Sequence, residues 1–357
     1  MWNNKLKRVI CSLKSLNKLP KSFAAFVSLG LLSLFFVPLV GNAQEESDTS
    51  SALENSTSQY PADSAEAWLM KLSSAVKSLN YSISLVVLKP GVDSQPYLWR
   101  HAIDDNGVEL EQLNLLNGPG REVVRIGNKV SYFEPNVPPY SLRSSTINGP
   151  FPSELLYDPE QLFDSYEFVL VGRSRVSGRS AQQIRVISKD KSRFGLNLWL
   201  DQESGLILKM NMVNLEGQLL EQIQVTGIHV SEKPDPFFAR IEQAMLPDIL
   251  VLRNQVDNPP RWKITNLPVG MHIIKQDIHR LPMTGDVVDY ILLSDGLVDV
   301  SIYLQPLPSA SASQDLIGRH ESNTILTRQI GDVSVTVVGK VPAVTADAIL
   351  KSIQVVQ

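Results

Sequence analysis

Two groups of side chains in this sequence have the types and spacing to do chemistry, and both point to binding. Arg173, Arg175, Arg179, Arg185, Lys189, Lys191 and Arg193 form a run of cations opposed only by Asp190. Charge runs are most often solvated faces, but such a run can also select a phosphorylated headgroup or an acidic peptide. Arg173, Arg175, Arg179 and Arg185 are the candidates for that role. The second group is apolar. Leu85 and Val87, then Phe194, Leu196, Leu198 and Leu200, then Leu206, Leu208, Met210 and Met212, alternate with smaller or polar residues, so each set lines one face of a strand. Methionines suit a surface that repacks around variable guests. A buried acyl chain contributes about 0.8 kcal/mol per methylene, against roughly 0–1 kcal/mol for an exposed ion pair. If a lipid binds, the apolar face therefore supplies affinity and the arginines select the headgroup.

Catalytic constellations are missing. His101, His229, His272, His279 and His320 show no HExxH or other close ligand pair, so neither a metal site nor a cofactor is expected. The sequence has no GxSxG elbow, Walker loop, GxGxxG or calcium loop. Ser74-Ala75-Val76-Lys77 matches an SxxK pattern, but a three-residue spacing within a helix simply puts both side chains on its surface, and the partner motifs are absent. The expectation is a binding protein that is not an enzyme.

The elements that must position these groups are mostly strands. A helix opens with a capping-box pattern, Asp63 with Glu66, and Leu69, Leu72, Val76 and Leu79 share one face. Period-two segments follow, separated by turn signals such as Asp105-Asn106-Gly107, Asn117-Gly118, Gly127-Asn128 and Ser204-Gly205. Many short-spaced strands behind one helix predict an α+β fold, mainly antiparallel β, with the sheet curled over a helical layer. One helix covers only about two to three strands. The rest of the apolar face must meet the proline-rich stretch Glu134 to Asp164, a second domain or a ligand. Residues 61–230 are read as the first domain and 231–261 as a linker. The linker carries a short amphipathic helix on Phe237, Phe238, Ile241 and Met245, then Val256-Asp257-Asn258-Pro259-Pro260. Residues 262–357 are a smaller β-rich domain with hairpins at Ser294-Asp295-Gly296 and Gly331-Asp332, and a last helix capped by Thr345. Gly270, Asp295, Gly296 and Pro342 read as turn formers.

The N-terminal 43 residues read differently. Lys5, Lys7, Arg8, Lys14, Lys18 and Lys21 precede an apolar run from Phe23 to Val40 and then Gly41-Asn42-Ala43, the order of a secretory signal peptide. Residues 44–60, acidic and Ser-rich, are expected to be a flexible tether. Cleavage after Ala43 would remove six positive charges, taking the formal charge from −4 to −10, and would also remove Cys11, the single cysteine. A mature chain so acidic is a poor general binder of nucleic acid, and one without thiols uses no disulfides in an oxidising compartment.

Particular residues add a resemblance. Leu198-Trp199-Leu200-Asp201, Gly205-Leu206-Ile207-Leu208 and Gly217 resemble the sheet of the LolA/LolB lipoprotein carriers. Trp262, Leu267-Pro268-Val269-Gly270, Leu293-Ser294-Asp295-Gly296-Leu297, Val300-Ser301 and Val338-Gly339-Lys340-Val341-Pro342 resemble the RseB/MucB family of periplasmic sigma-E regulators. Lys340 stands where an acidic residue is common in that family, and Met271 where a phenylalanine is expected. The resemblance implies a LolA-like half-barrel with covering helices followed by the C-terminal domain, a location in the periplasm, and homodimers or larger homo-oligomers. It implies binding of the periplasmic domain of the anti-sigma factor RseA/MucA, protection of that factor from a DegS-like protease, and release by lipid or lipopolysaccharide. A lipid or lipoprotein carrier, for which the first domain alone would suffice, is the alternative.

Overall fold

The computed structural model describes residues 60–241, 245–251, 261–281, 285–307 and 315–356. The expected signal peptide, nearly all of the tether, and linker residues 256–260 lie outside them.

The first helix, α1 (Ala65–Ser78), starts one residue later than the capping box suggests. Ser64 is extended and its hydroxyl accepts from the Ala67 N–H at 3.0 Å, whereas Asp63 sits in the turn before it. Leu69, Leu72 and Val76 are fully buried on one face. There follow β1 (Asn80–Leu88), β2 (Gln95–Ile103), β3 (Glu109–Leu115), β4 (Arg121–Ile126), β5 (Lys129–Phe133) and β6 (Tyr140–Arg143). A strap comes next, containing α2 (Ser153–Tyr157) and a 3-10 turn at Pro159–Leu162. β7 (Tyr166–Val176), β8 (Arg179–Ser188), β9 (Gly195–Asp201), β10 (Ile207–Val213) and β11 (Leu219–Ser231) complete the first sheet.

All eleven strands are antiparallel, in the order β6-β5-β4-β3-β2-β1-β11-β10-β9-β8-β7. The two end strands do not pair, so the sheet is not closed into a barrel. It is nevertheless strongly curled. α1 contacts both β2 and β7, six places apart and thus about 29 Å apart in a flat sheet. A helix about 10–12 Å wide and 14 residues (about 21 Å) long cannot reach across that distance. Register builds continuous apolar rows on the concave side: Ile184, Leu198, Met210, Ile223 and Val87 are successive cross-strand partners. These rows and α1 form one buried cluster with Ile147, Phe151, Leu155, Leu156 and Leu162 from the strap, so the proline-rich stretch supplies much of the cover that α1 cannot.

The outer edge at β6 is protected as an exposed edge must be. Ser141 donates from its hydroxyl to Pro247 O at 2.7 Å and accepts from the Leu250 N–H at 2.8 Å. Of the helix expected on Phe237, Phe238, Ile241 and Met245, the described residues 237–241 show a 3-10 turn, Phe238–Arg240. Asp235 accepts from the Phe237 N–H at 2.8 Å and from Arg100 at 2.9 Å, Ile241 is already extended, and Met245 is 77% exposed, off any buried face.

A second sheet comprises β13 (His272–Arg280), β14 (Val287–Ser294), β15 (Asp299–Pro306), β16 (Leu316–His320), β17 (Asn323–Ile330) and β18 (Val333–Gly339), ordered β13-β14-β15-β18-β17-β16. β12 (Trp262–Ile264) pairs with β19 (Ile353–Val355) beside it. Ile291, Leu293, Val300, Ile302, Val335 and Val337 bury one face with Ala346, Ile349 and Leu350 of α3 (Ala343–Lys351). Thr345 is not the cap of α3. Pro342 occupies that position, and the Thr345 hydroxyl donates instead to Ser192 O in the β8–β9 loop of the first domain at 2.8 Å.

Candidate functional site

The nine apolar residues singled out from sequence, Leu85, Val87, Phe194, Leu196, Leu198, Leu206, Leu208, Met210 and Met212, are all buried in the same cluster. Of these, Val87 alone lines the cavity described below. The four arginines are not brought together. On β7 and β8, Arg173 lies opposite Gln182 and Arg175 opposite Ser180, whereas Arg185 lies opposite Val169 and Arg179 opposite Val176. Even-numbered and odd-numbered residues of β8 point to opposite faces, so Arg173 and Arg175 share one side and Arg179 and Arg185 the other. Arg179 is committed: it donates to both oxygens of buried Asp201, at 2.9 and 2.8 Å, and to Glu203 at 2.6 Å.

The densest constellation joins the two sheets. Arg193, the last cation of the basic run, has a fully buried side chain and reaches the equally buried Asp295 in the β14–β15 turn, with Nε at 2.8 Å and a terminal nitrogen at 2.7 Å. The Tyr166 hydroxyl donates to the same carboxylate oxygen at 2.7 Å, and the guanidinium also donates to Val269 O and to Asp190 at 3.0 Å. Asp190 in turn accepts from the Val269 N–H at 2.9 Å. Burial by itself would raise the Asp190 carboxyl, but hydrogen bonds from Ser192 and Val269 and the Arg193 charge hold it below the usual carboxylate range. Burial, then the Asp295 charge, push the Tyr166 phenol up, so it stays a donor. Asp295 does form the turn, accepting from the Leu297 and Val298 N–H groups at 2.9 and 2.8 Å, yet its other oxygen is the acceptor for the neighbouring domain. Gly270 and Gly296 likewise do more than turn. Both have positive φ, and a Cβ on them would meet Ser165 Oγ at 1.7 Å and Glu154 Cγ at 2.8 Å, so the two domains approach backbone against side chain.

Farther along the seam lies a second junction. Glu221 is in phase with Ile223 and Val225 on the concave face, opposite Met212, and its side chain is only 5% exposed. Lys340 from the second sheet donates to it at 3.0 and 3.2 Å and the Ser322 hydroxyl at 2.9 Å. Lys89 at the end of β1 pairs with Glu321 at 2.7 Å, and that hydrogen bond, then the Lys89 charge, lower the Glu321 pKa. Between these pairs is a cavity of about 230 Å³. Val87, Tyr97, Leu113, Leu115 and Val123 of the concave face form its apolar wall, residues 148–150 of the strap cross it, and Lys89, Gln95, Arg121, Glu221 and Lys340 bring polar groups to it. Sequence reasoning missed this site. The available signal was Glu221, a carboxylate placed in register with the buried residues of β11.

Among the described residues no group of His, Cys, Asp or Glu is arranged to hold a metal ion, and no helix is long and apolar enough to cross a membrane. An open, curled sheet bolted through buried ion pairs to a smaller β domain defines a two-domain protein whose built features are an interface and a cavity. Comparison with known proteins gives that class its family. Residues 64–250 match the MucB/RseB N-terminal domain and residues 256–354 the MucB/RseB C-terminal domain, and the chain belongs to the MucB/RseB family. It is 33% identical over 290 residues to the sigma-E factor regulatory protein RseB of Escherichia coli K12, covering 81% of this chain and 90% of that protein. It is 30% identical over 309 residues to the sigma factor AlgU regulatory protein MucB of Pseudomonas aeruginosa, covering 82% and 92%. Among solved structures, the complex of Pseudomonas aeruginosa MucA and MucB matches with a TM-score of 0.66 at 27% identity, covering 82% of this chain and 99% of that one. A crystal structure of MucB matches with a TM-score of 0.53 at the same identity, covering 82% and 98%. The curated relatives are regulatory proteins.

Proposed function

We propose that this chain is a periplasmic negative regulator of the sigma-E envelope stress response. It binds the periplasmic domain of an anti-sigma factor of the RseA/MucA kind, shields it from regulated proteolysis, and lets go when lipid or lipopolysaccharide binds. The observation that carries the reading is the pair of whole-chain comparisons above. At the same identity and near-equal coverage, the likeness is 0.66 to MucB taken with MucA and 0.53 to a crystal structure named for MucB alone. A whole-chain score on a two-domain protein falls when one domain is turned against the other, so the arrangement fixed by Arg193 and Asp295 supports a partner-holding state. The apolar candidates Leu85, Val87 and Phe194 to Met212 are buried in that arrangement, so an acyl chain would reach them only as the seam or the strap moves. The function in the cell would be exerted as a homodimer or larger homo-oligomer.

The test uses the chain spanning residues 44–357 and the periplasmic segment of its anti-sigma factor. Capture of that segment, with slowed cleavage by a DegS-like protease, is the expected result. No binding by the intact mature chain would sink the reading.

A further inference from the structure

The cavity at the seam gathers charged groups beside the apolar concave face. Lys89, Arg121 and Lys340 bring three cations to its wall, against Glu221 as the one carboxylate among the residues that line it, with the carboxamides of Gln95 and Asn148 between them. Its volume of about 230 Å³ is below the roughly 300 Å³ at which pockets for drug-sized ligands begin, so it suits a headgroup rather than a whole lipid. Arg121 is half-exposed and pairs with Glu134 at 2.8 Å. The other two cations hold the domains together: Lys340 with Glu221, and Lys89 with Glu321.

We propose that this cavity is a binding site for a phosphate monoester, and that the ester competes with Glu221 and Glu321 for the lysines that close the seam. The proposal rests on the reading that a lipid releases the partner, and it names the group that would be sensed and how. A phosphate that takes Lys340 leaves Glu221 buried, with the Ser322 hydroxyl as its remaining hydrogen-bond donor among the described residues. An unpaired carboxylate at 5% exposure is strongly unfavourable, so the second domain lifts and Glu221 reaches water. Closure and ester binding are then reciprocal: each weakens the other by the same factor.

Two substitutions move affinity in opposite directions, which a merely structural role would not do. The chain spanning residues 44–357 is titrated with glycerol 3-phosphate by calorimetry, and its radius of gyration is followed by small-angle scattering. Arg121→Ala, away from the interdomain pairs, should weaken the ester about tenfold, the loss of one charge-assisted hydrogen bond. Glu221→Gln, which removes the competitor, should tighten it about tenfold and expand the free protein. Ser322→Ala should shift both readouts the same way, and it serves if Glu221→Gln does not fold. Unchanged affinity in Arg121→Ala, or no gain in either seam variant, overturns the proposal. Flotation with vesicles of phosphatidylcholine, with and without phosphatidic acid, separates the sources. Capture only by the phosphatidic acid vesicles, relieved by glycerol 3-phosphate, assigns the site to a lipid headgroup, whereas ester binding without capture assigns it to a soluble ester. If the variants respond as stated but the ester leaves the anti-sigma segment bound, the lipid-release reading fails and the site stands. If the segment is released and the variants do not respond, the site fails and the release reading stands.

Discussion

Replacing Asp295 by Asn and Arg193 by Met, singly and together, measures the bolt between the domains. Asn keeps a side-chain oxygen for the Leu297 and Val298 N–H groups at 2.9 and 2.8 Å, so the turn survives while the charge is lost. Met keeps the aliphatic stem of Arg193 and removes its fork. Both side chains are 0% exposed, so the roughly 0–1 kcal/mol of a surface pair is the wrong scale. Removing one partner of a buried pair costs about 3–5 kcal/mol, because the other charge is left uncompensated. Tyr166 and Val269, which also bond into the cluster, lose part of their satisfaction as well. Each single variant should therefore lose about 3–5 kcal/mol of the free energy that holds the seam closed. The double variant should lose less than the sum of the singles by about 2–3 kcal/mol, since it leaves no buried charge without its mate. Urea unfolding followed by tryptophan fluorescence gives these energies, and small-angle scattering in water shows whether the domains part before either sheet melts. Single variants within about 1 kcal/mol of the parent, with coupling below about 0.5 kcal/mol, would show that the pair is wet and loose and that the reasoning from burial is wrong.

Acid should loosen the same seam. Asp190 and Glu321, which both bond across the seam, have lowered pKa values. The stability they contribute is therefore present above about pH 4 and is lost as pH falls through their folded values, which stepwise acid titration with scattering would register. Glu154, raised by burial against the turn of Gly296, works in the opposite sense and should only blunt that loss. His101, lowered by burial, should add a shallow loss beginning below about pH 6.5, absent from a His101→Asn variant in thermal melts. Gly270→Ala should cost at least about 2 kcal/mol by combining positive φ with the Ser165 clash. Adding Ser165→Gly should recover part of that in urea unfolding, and no recovery would assign the whole cost to backbone strain. Leu198→Ala, fully buried in the first sheet, should cost about 2–5 kcal/mol without changing the interdomain distance seen by scattering.

Period-two alternation was enough to place nearly every strand of the first sheet. The turn signals Asp105-Asn106-Gly107, Asn117-Gly118, Gly127-Asn128 and Ser204-Gly205 fall between β2 and β3, β3 and β4, β4 and β5, and β9 and β10. The period is strong because each such strand buries one face and wets the other. The alternation fails at β13 and β16, the two edges of the second sheet, where nearly every residue is exposed and no buried face imprints a period. Resemblance in Leu293–Leu297 and Leu267–Gly270 marked the family. Which charges matter was not legible. Arg193 looked like one more cation in a run and Asp295 like a turn former, because a sequence shows what a residue can do locally and not what stands opposite it. Only tertiary structure set Arg193 against Asp295 and Lys340 against Glu221, stretches about a hundred residues or more apart in the chain. Removing those charges from water is what turns solvated side chains into the bolts of an interface.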